Sequence, residues 1–244
     1  MKTIESTSNK EIKALCKLHA KKGRLTRGQF LVEGMHLIEE AKEAGHLLKV
    51  FSIEPLDLGV ECVLCLQPVL NKLSVQRSDA SCIGLCSMVQ GRSDLGDHVL
   101  LLMDVQDPGN MGTLIRSALS FGFRTIYYSN GCADPYSPKV VQASQGALFH
   151  TLLQEVKMES AIPALRKDGF WVAATALSAY SKFLHDVHFP KKTAFLLGNE
   201  GSGLPLSLID LCDACIKVEM DCFESLNVGV AGSLCMYSCF IQNS

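Results

Sequence analysis

The chain has 244 residues, of which 48% are apolar and 20% charged, and a formal net charge of −2. That length fits one large domain or two small ones, and it buries enough surface to fold without disulfides or a structural metal. The composition excludes disorder and collagen-like repeats, and no run of about 18 uncharged apolar residues marks a membrane span.

The N-terminus, MKTIESTSNKEIKALCK, lacks the apolar stretch of a secretion signal, so a cytoplasmic chain is expected. Charge is unevenly spread. Residues 1–30 carry eight Lys/Arg against two Glu, and the rest carries 15 Lys/Arg against 23 Asp/Glu. A basic arm on an acidic body points to a polyanion such as nucleic acid. Lys21, Lys22, Arg24 and Arg27 are the candidate contacts, although a solvated helix face accounts for the same charges. The 11 cysteines, an odd number in a chain without an export signal, read as reduced thiols. Two CxxC spacings occur, Cys62/Cys65 and Cys212/Cys215. Zinc would require the pairs to meet, or a His pair to join one. The run from Cys62 to Leu66 reads instead as a buried strand in which Cys is a small apolar residue, and no metal site is expected.

In chain order, Ser8-Asn9 caps a helix running to about Lys22, with Gly23 as its stop. Phe30–Val32 is a short strand, Gly34–Ala44 a helix ended by Gly45, and Leu47–Ile53, Cys62–Leu66 and Ser81–Met88 are strands. Alternating strands and helices make a small α/β unit. The polar, Gly-bearing stretch of residues 90–97 is the expected linker. Beyond it, Val99–Met103 is a continuous apolar strand of the kind buried in a parallel sheet. A helix Met111–Phe121, a strand Thr125–Tyr128, a helix from Ser137-Pro138 and a helix Glu159–Lys167 follow. Strands Trp171–Thr175, Ala194–Leu197 and Cys215–Val218, a helix Leu206–Leu211 and an apolar helix Leu226–Ile241 complete a doubly wound α/β domain.

Ligands of such sheets bind beyond the carboxyl ends of the strands. Three loops there put Gly, Asn, Ser or acidic residues at the end of an apolar strand. They are Asp104–Arg116, Leu197–Leu204 and Val218–Val228. Glycine permits close approach of the backbone to a ligand, and Asn and Ser put donors and acceptors on short side chains. Taken singly, Asn110 reads as the N-cap of the helix Met111–Phe121 and Ser225 as the N-cap of the last helix. No GxGxxG turn follows the first strand, so ordinary dinucleotide clamping is not indicated.

In order and spacing these loops resemble the SpoU family, also called TrmH, of RNA 2′-O-ribose methyltransferases. Asp107-Pro108-Gly109-Asn110 with Gly112 and Arg116 is similar to its first motif. Gly198, Glu200, Gly203 and Leu204 are similar to the second, and Ser225-Leu226-Asn227-Val228 to the core of the third. The segment PYSPKVVQASQGALF at residues 135–149, and SNKEIKALCKL and FLVEG near the N-terminus, extend the resemblance over nearly the whole chain. The third motif commonly begins Ile/Val-Pro-Met; Glu219 stands here in place of the Pro, and the stretch from Val218 to Ser225 is one residue short.

The resemblance implies an α/β fold with two parts. Residues 1–92 would form a small α/β substrate-binding domain. Residues 97–244 would form a trefoil-knotted methyltransferase domain with a parallel sheet, using S-adenosylmethionine (SAM) and dimerising through the knotted domain. It implies methyl transfer to a ribose 2′-hydroxyl, with ribosomal RNA the expected substrate. Transfer RNA, or an RNA-binding homologue with impaired catalysis, is the alternative. Arg116 would be the activator of the hydroxyl, and Asn110, Glu200, Ser225 and Asn227 would position substrate and activator. Gly198, Val218 and Leu226 would contact the cofactor, with Met220 and Thr175 nearby.

Overall fold

The computed structural model describes residues 2–76, 79–89, 95–178, 180–221 and 225–243. Residues 90–94, most of the expected linker, and residues 222–224 of the third loop lie outside these. The chain forms two compact units, one of Met1–Gln90 with Asp134–Phe149, the other of Gly91–Ala133 with His150–Ser244. A contiguous division at 92/97 assigns residues 134–149 to the second part, whereas this segment packs with the first.

In the first unit, strands β1 (Lys2–Ile4), β2 (Gln29–Glu33), β3 (Leu47–Ser52), β4 (Glu61–Cys65) and β5 (Cys82–Ser87) form a mixed sheet in the order β1-β4-β3-β5-β2. Helices α1 (Lys10–Cys16), α2 (Lys21–Arg27), α3 (Met35–Glu43) and α4 (Gln67–Leu73) accompany it. The core joins Ile12, Leu15 and Leu18 to Phe51, Val63, Leu70 and Ile83. The expected single helix over residues 9–22 is two helices joined by a 3-10 turn, Lys17–His19. Asn9 does cap the first, accepting the Glu11 amide. Gly23 is not a stop but lies inside α2, where a Cβ would come within 1.9 Å of the Lys17 carbonyl oxygen. The stop is Gly28, in the left-handed conformation at φ 60°. Strand β1, too short to leave a sequence signal, is defined by its parallel pairing with β4.

Arg24 does not reach outward with Lys21, Lys22 and Arg27. Its side chain is only 4% exposed and forms an ion pair with Asp134. The guanidinium also donates to the Leu18 and His19 carbonyls at 2.7 and 2.9 Å. As a candidate RNA contact it is therefore corrected to a structural residue: a buried charge survives only when paired and hydrogen-bonded, and Asp134 with two carbonyls satisfies that need.

The second unit is an all-parallel seven-stranded sheet. Its strands are β6 (His98–Leu102), β7 (Thr125–Tyr128), β8 (Leu152–Glu155), β9 (Trp171–Thr175), β10 (Lys182–Phe183), β11 (Thr193–Leu197) and β12 (Ala214–Lys217). Their order is β10-β12-β9-β11-β6-β7-β8. All residues of β11 and the last four of β6 are buried, as a parallel sheet covered on both faces demands. Helices α5 (Pro108–Ser120), α7 (Met158–Lys167), α8 (Leu206–Ile209) and α9 (Val228–Asn243) belong here, whereas α6 (Pro138–Ser144) lies in the first unit. From β6 the chain moves to β7 and β8 on one side, then crosses to β9 on the other. The loops after β6 and β11, adjacent strands, therefore open at the point where the winding reverses. No helix among the described residues is long and apolar enough to cross a membrane.

Candidate active site

Three strand-end loops build this site, and side-chain hydrogen bonds tie them together. The first leaves β6 with Asp104 at φ 54°, an uncommon backbone state for a non-glycine residue. Ser129 holds it there, accepting the Asp104 amide at 2.9 Å and donating to Oδ1 at 2.6 Å. Gly131 makes room, since a Cβ there would lie 2.1 Å from Asp104 Oδ1. Asn199, of the loop after β11, donates through Nδ2 to the Asp104 carbonyl at 2.9 Å, and its Oδ1 accepts the Gly201 and Ser202 amides.

The N-cap of α5 is Asp107, which accepts the Asn110 amide at 2.8 Å, with Pro108 in the first turn. This corrects the reading of Asn110 as the cap. With the helix starting three residues earlier, the Asn110 side chain is released for other partners. Its Nδ2 donates to Glu200 Oε1 at 2.5 Å, and its Oδ1 accepts from Asn227 Nδ2 at 2.9 Å. Residues of all three motifs are thus joined through one amide group. Asn227 is also the residue that caps α9, its Oδ1 accepting the Gly229 and Val230 amides at 2.9 and 3.3 Å, a role the sequence reading gave to Ser225. Gly229 keeps this corner open, because a Cβ there would lie 3.1 Å from Asn227 Oδ1 and 3.4 Å from Asn110 Oδ1. One turn on, Gly232 lets α9 settle on Leu114 of α5 and Leu197 of β11, where a Cβ would meet methyl groups at 2.5–2.6 Å.

Arg116 is exposed on α5, and its guanidinium has no hydrogen-bond partner among the described residues. Glu200 and Ser225 are exposed. Thr175 ends β9 with its hydroxyl donating to the Leu196 carbonyl at 3.1 Å. Gly198 is buried, and a Cβ there would lie 2.8 Å from the Gly203 carbonyl group. Val218 and Met220 are half-buried, and Leu226 is exposed.

Two contributors escaped sequence reading. Asn199 had no motif position of its own. His185 meets Glu219 from 34 residues away: Glu219 Oε1 accepts from the His185 amide at 3.2 Å and bonds the ring at Nδ1. Burial opposes the charge of Glu219, but hydrogen bonds from its own amide and then from His185 outweigh it and hold the carboxyl below its ordinary range. No signal in the sequence joins the two. Among the described residues no three His, Cys, Asp or Glu side chains gather into a group that could hold a metal.

Residues 97–237 match the model of the SpoU rRNA methylase family, and residues 9–78 match an MRM3-like substrate-binding domain. The chain belongs to the SpoU rRNA methylase family. One relative, named 23S rRNA (guanosine(2553)-2′-O)-methyltransferase RlmP, from Bacillus subtilis strain 168, is 31% identical over 97% of this chain and 98% of its own. A crystal structure titled RNA 2′-O ribose methyltransferase superposes with a TM-score of 0.83 at 26% identity, covering 98% of both chains. The structure of an AdoMet-bound rRNA methyltransferase from Sinorhizobium meliloti shares the fold, with a TM-score of 0.88 at 24% identity over 98% of this chain and 97% of its own.

Proposed function

We propose that the chain transfers a methyl group from SAM to a ribose 2′-hydroxyl of ribosomal RNA. The observation that carries this is the junction of three motif loops on Asn110, hydrogen-bonded to Glu200 on one side and Asn227 on the other. The relative named as a 23S rRNA 2′-O-methyltransferase, matched over nearly its whole length, supports it.

The residues present fit the cofactor. Strands β12, β9 and β11 are neighbours in the sheet. Their carboxyl ends therefore line up Val218, Thr175 and Gly198, and the loop after Val218 carries the apolar residues Met220 and Leu226. Backbone groups beside apolar side chains suit an adenine and an amino-acid tail, neither of which needs a cationic phosphate clamp. When bound, SAM supplies an electrophilic methyl on a sulfonium.

The chain's own residues must then make a weakly acidic hydroxyl nucleophilic. Arg116 is the activator in this reading. A guanidinium without a hydrogen-bond partner among the described residues stabilises negative charge as it develops on the 2′-oxygen, an effect exerted mainly in the transition state. It stays protonated, so it acts by charge and hydrogen bonding rather than as a base. Asn110 has spent one amide hydrogen on Glu200 and keeps the second for the ribose. Glu200 keeps Oε2 for a hydroxyl donor. Asn227 fixes Asn110, and Ser225 adds a hydroxyl at the mouth of the loop. Lys21, Lys22 and Arg27, exposed on α2, would supply phosphate contacts.

Homodimerisation belongs to the same proposal. On α9, Val230, Leu234, Tyr237 and Ile241 recur at spacings of four, three and four, and are 39–54% exposed. Such an apolar stripe on a 16-residue helix is suited to burial against a second copy. The trefoil knot of the family is also part of the reading. It is supported by the insertion of β11 between β9 and β6, and by the return of α9 onto α5 and β11.

The test is transfer of labelled methyl from SAM to ribosomal RNA by the purified protein, with 2′-O-methyl mapping of RNA from cells with and without the gene. Loss of one specific methyl in cells lacking the gene is expected. An unchanged methylation map together with no transfer in vitro would overturn the reading.

A further inference from the structure

We infer that Glu219 and His185 act together as a positioning clamp that fixes the backbone of the third-motif loop for the cofactor. This rests on the proposed SAM site. The third motif of the family this chain resembles has proline at this position, and a proline ring would itself set φ near −65°. Glu219 lacks that restraint, and it sits between Val218 and Met220, two residues assigned to the cofactor. Any drift in its backbone angles would move both.

The restraint comes from the side chain. Strands β10 and β12 pair in parallel with Lys182 opposite Ile216 and Phe183 opposite Lys217. Two residues beyond the end of that ladder the same register brings His185 to Glu219. There the carboxylate replaces the missing backbone bonds, taking both the His185 amide and the ring at Nδ1. His185 is itself held. Its Nε2 lies 3.1 Å from Asp186 Oδ1, and its ring stacks on Phe183 at 5.9 Å and 10°. Lys217 Nζ lies 4.6 Å from the Phe183 ring centroid, on the neighbouring strand. Downstream, Gln242 at the end of α9 donates to the Val187 carbonyl at 3.0 Å and accepts the Phe189 amide at 3.1 Å. The segment gripping Glu219 is therefore anchored to β12 on one side and to α9 on the other.

The pair is exposed, where a single ion pair contributes modestly. The expected effect is a severalfold change in SAM affinity rather than a loss of fold. Calorimetric titration of the full-length protein with SAM, alongside thermal unfolding, provides the test. Glu219→Ala and His185→Ala should each weaken binding by roughly three- to five-fold with Tm unchanged. The double variant should be no weaker than either single, because both break the same contact. Glu219→Pro should restore wild-type affinity and make it insensitive to His185→Ala, since the ring then supplies the restraint. In methyl transfer, Glu219→Ala should raise KM for SAM and leave kcat unchanged. Wild-type affinity in Glu219→Ala, additive losses in the double variant, or continued dependence on His185 in the Glu219→Pro background would each overturn the clamp. Failure of the wild-type protein to bind SAM would instead overturn the cofactor reading beneath it.

Discussion

Asn227 donates to Asn110 across 117 positions of sequence, at 2.9 Å. The same Asn227 caps α9 with its Oδ1, so one side chain starts the last helix and holds the central residue of the first motif. The asparagine that looked like a cap, Asn110, is the one held, and the cap of its own helix is Asp107.

This division of labour separates two substitutions. Asp107→Ala removes a helix cap and should lower stability by about 1 kcal/mol. Asn110→Ala leaves that cap intact. It should cut methyl transfer severely, with a Tm loss smaller than that of Asp107→Ala. Thermal unfolding and single-turnover transfer on the two proteins check both halves, and equal effects of the two changes on both readouts would contradict the assignment.

Arg116→Ala should leave the protein folded and SAM affinity near wild type, yet slow methyl transfer about 10²–10³-fold, the usual cost of one transition-state donor. Arg116→Lys should recover little, because a point ammonium does not reproduce the planar fork of donors. Single-turnover transfer under saturating SAM is the measurement. Near-wild-type turnover by Arg116→Ala would remove Arg116 from the mechanism.

The basic residues of α2 should divide by burial. Replacing Lys21, Lys22 and Arg27 together by Gln should weaken RNA binding across sequences and flatten the log–log salt slope by about 2–3 units if each contacts one phosphate. Arg24→Gln should instead destabilise the first unit by about 3–5 kcal/mol, because it strands Asp134, whose side chain is 15% exposed. Binding isotherms at several salt concentrations and denaturant unfolding distinguish the two classes.

A charge on the apolar stripe of α9 should break the proposed dimer. Leu234→Asp with Tyr237→Asp should shift sedimentation from dimer to monomer. A wild-type protein that sediments as a monomer would reject the interface.

The thiols should be quiet. Burial pushes Cys212 and Cys235 up to about 12, and Cys65 and Cys239 up to about 11. Thiolate is the reactive form, so at pH 7.5 these four should resist a thiol-specific reagent in the native protein and react once it is unfolded. Mass mapping of the modified residues would reveal an early label on any of them.

What could be read from the sequence alone was local or periodic. Continuous apolar runs marked β6 and β11, because strands covered on both faces carry no polar alternation. The Gly- and Asn-bearing loops were legible because glycine is required where backbones approach closely, as at Gly198. Short elements without a periodic signal, such as β1, β8 and β10, were not read, since pairing with a neighbouring strand is what defines them. The tertiary structure alone decided which charges face water and which polar side chains meet. Arg24 and Asp134 are 110 positions apart, and Glu219 and His185 are 34 apart. Sequence spacing places residues on a face of one element. The partners that bury a guanidinium or hold a loop come from other elements, brought there by the packing of the two sheets' own cores.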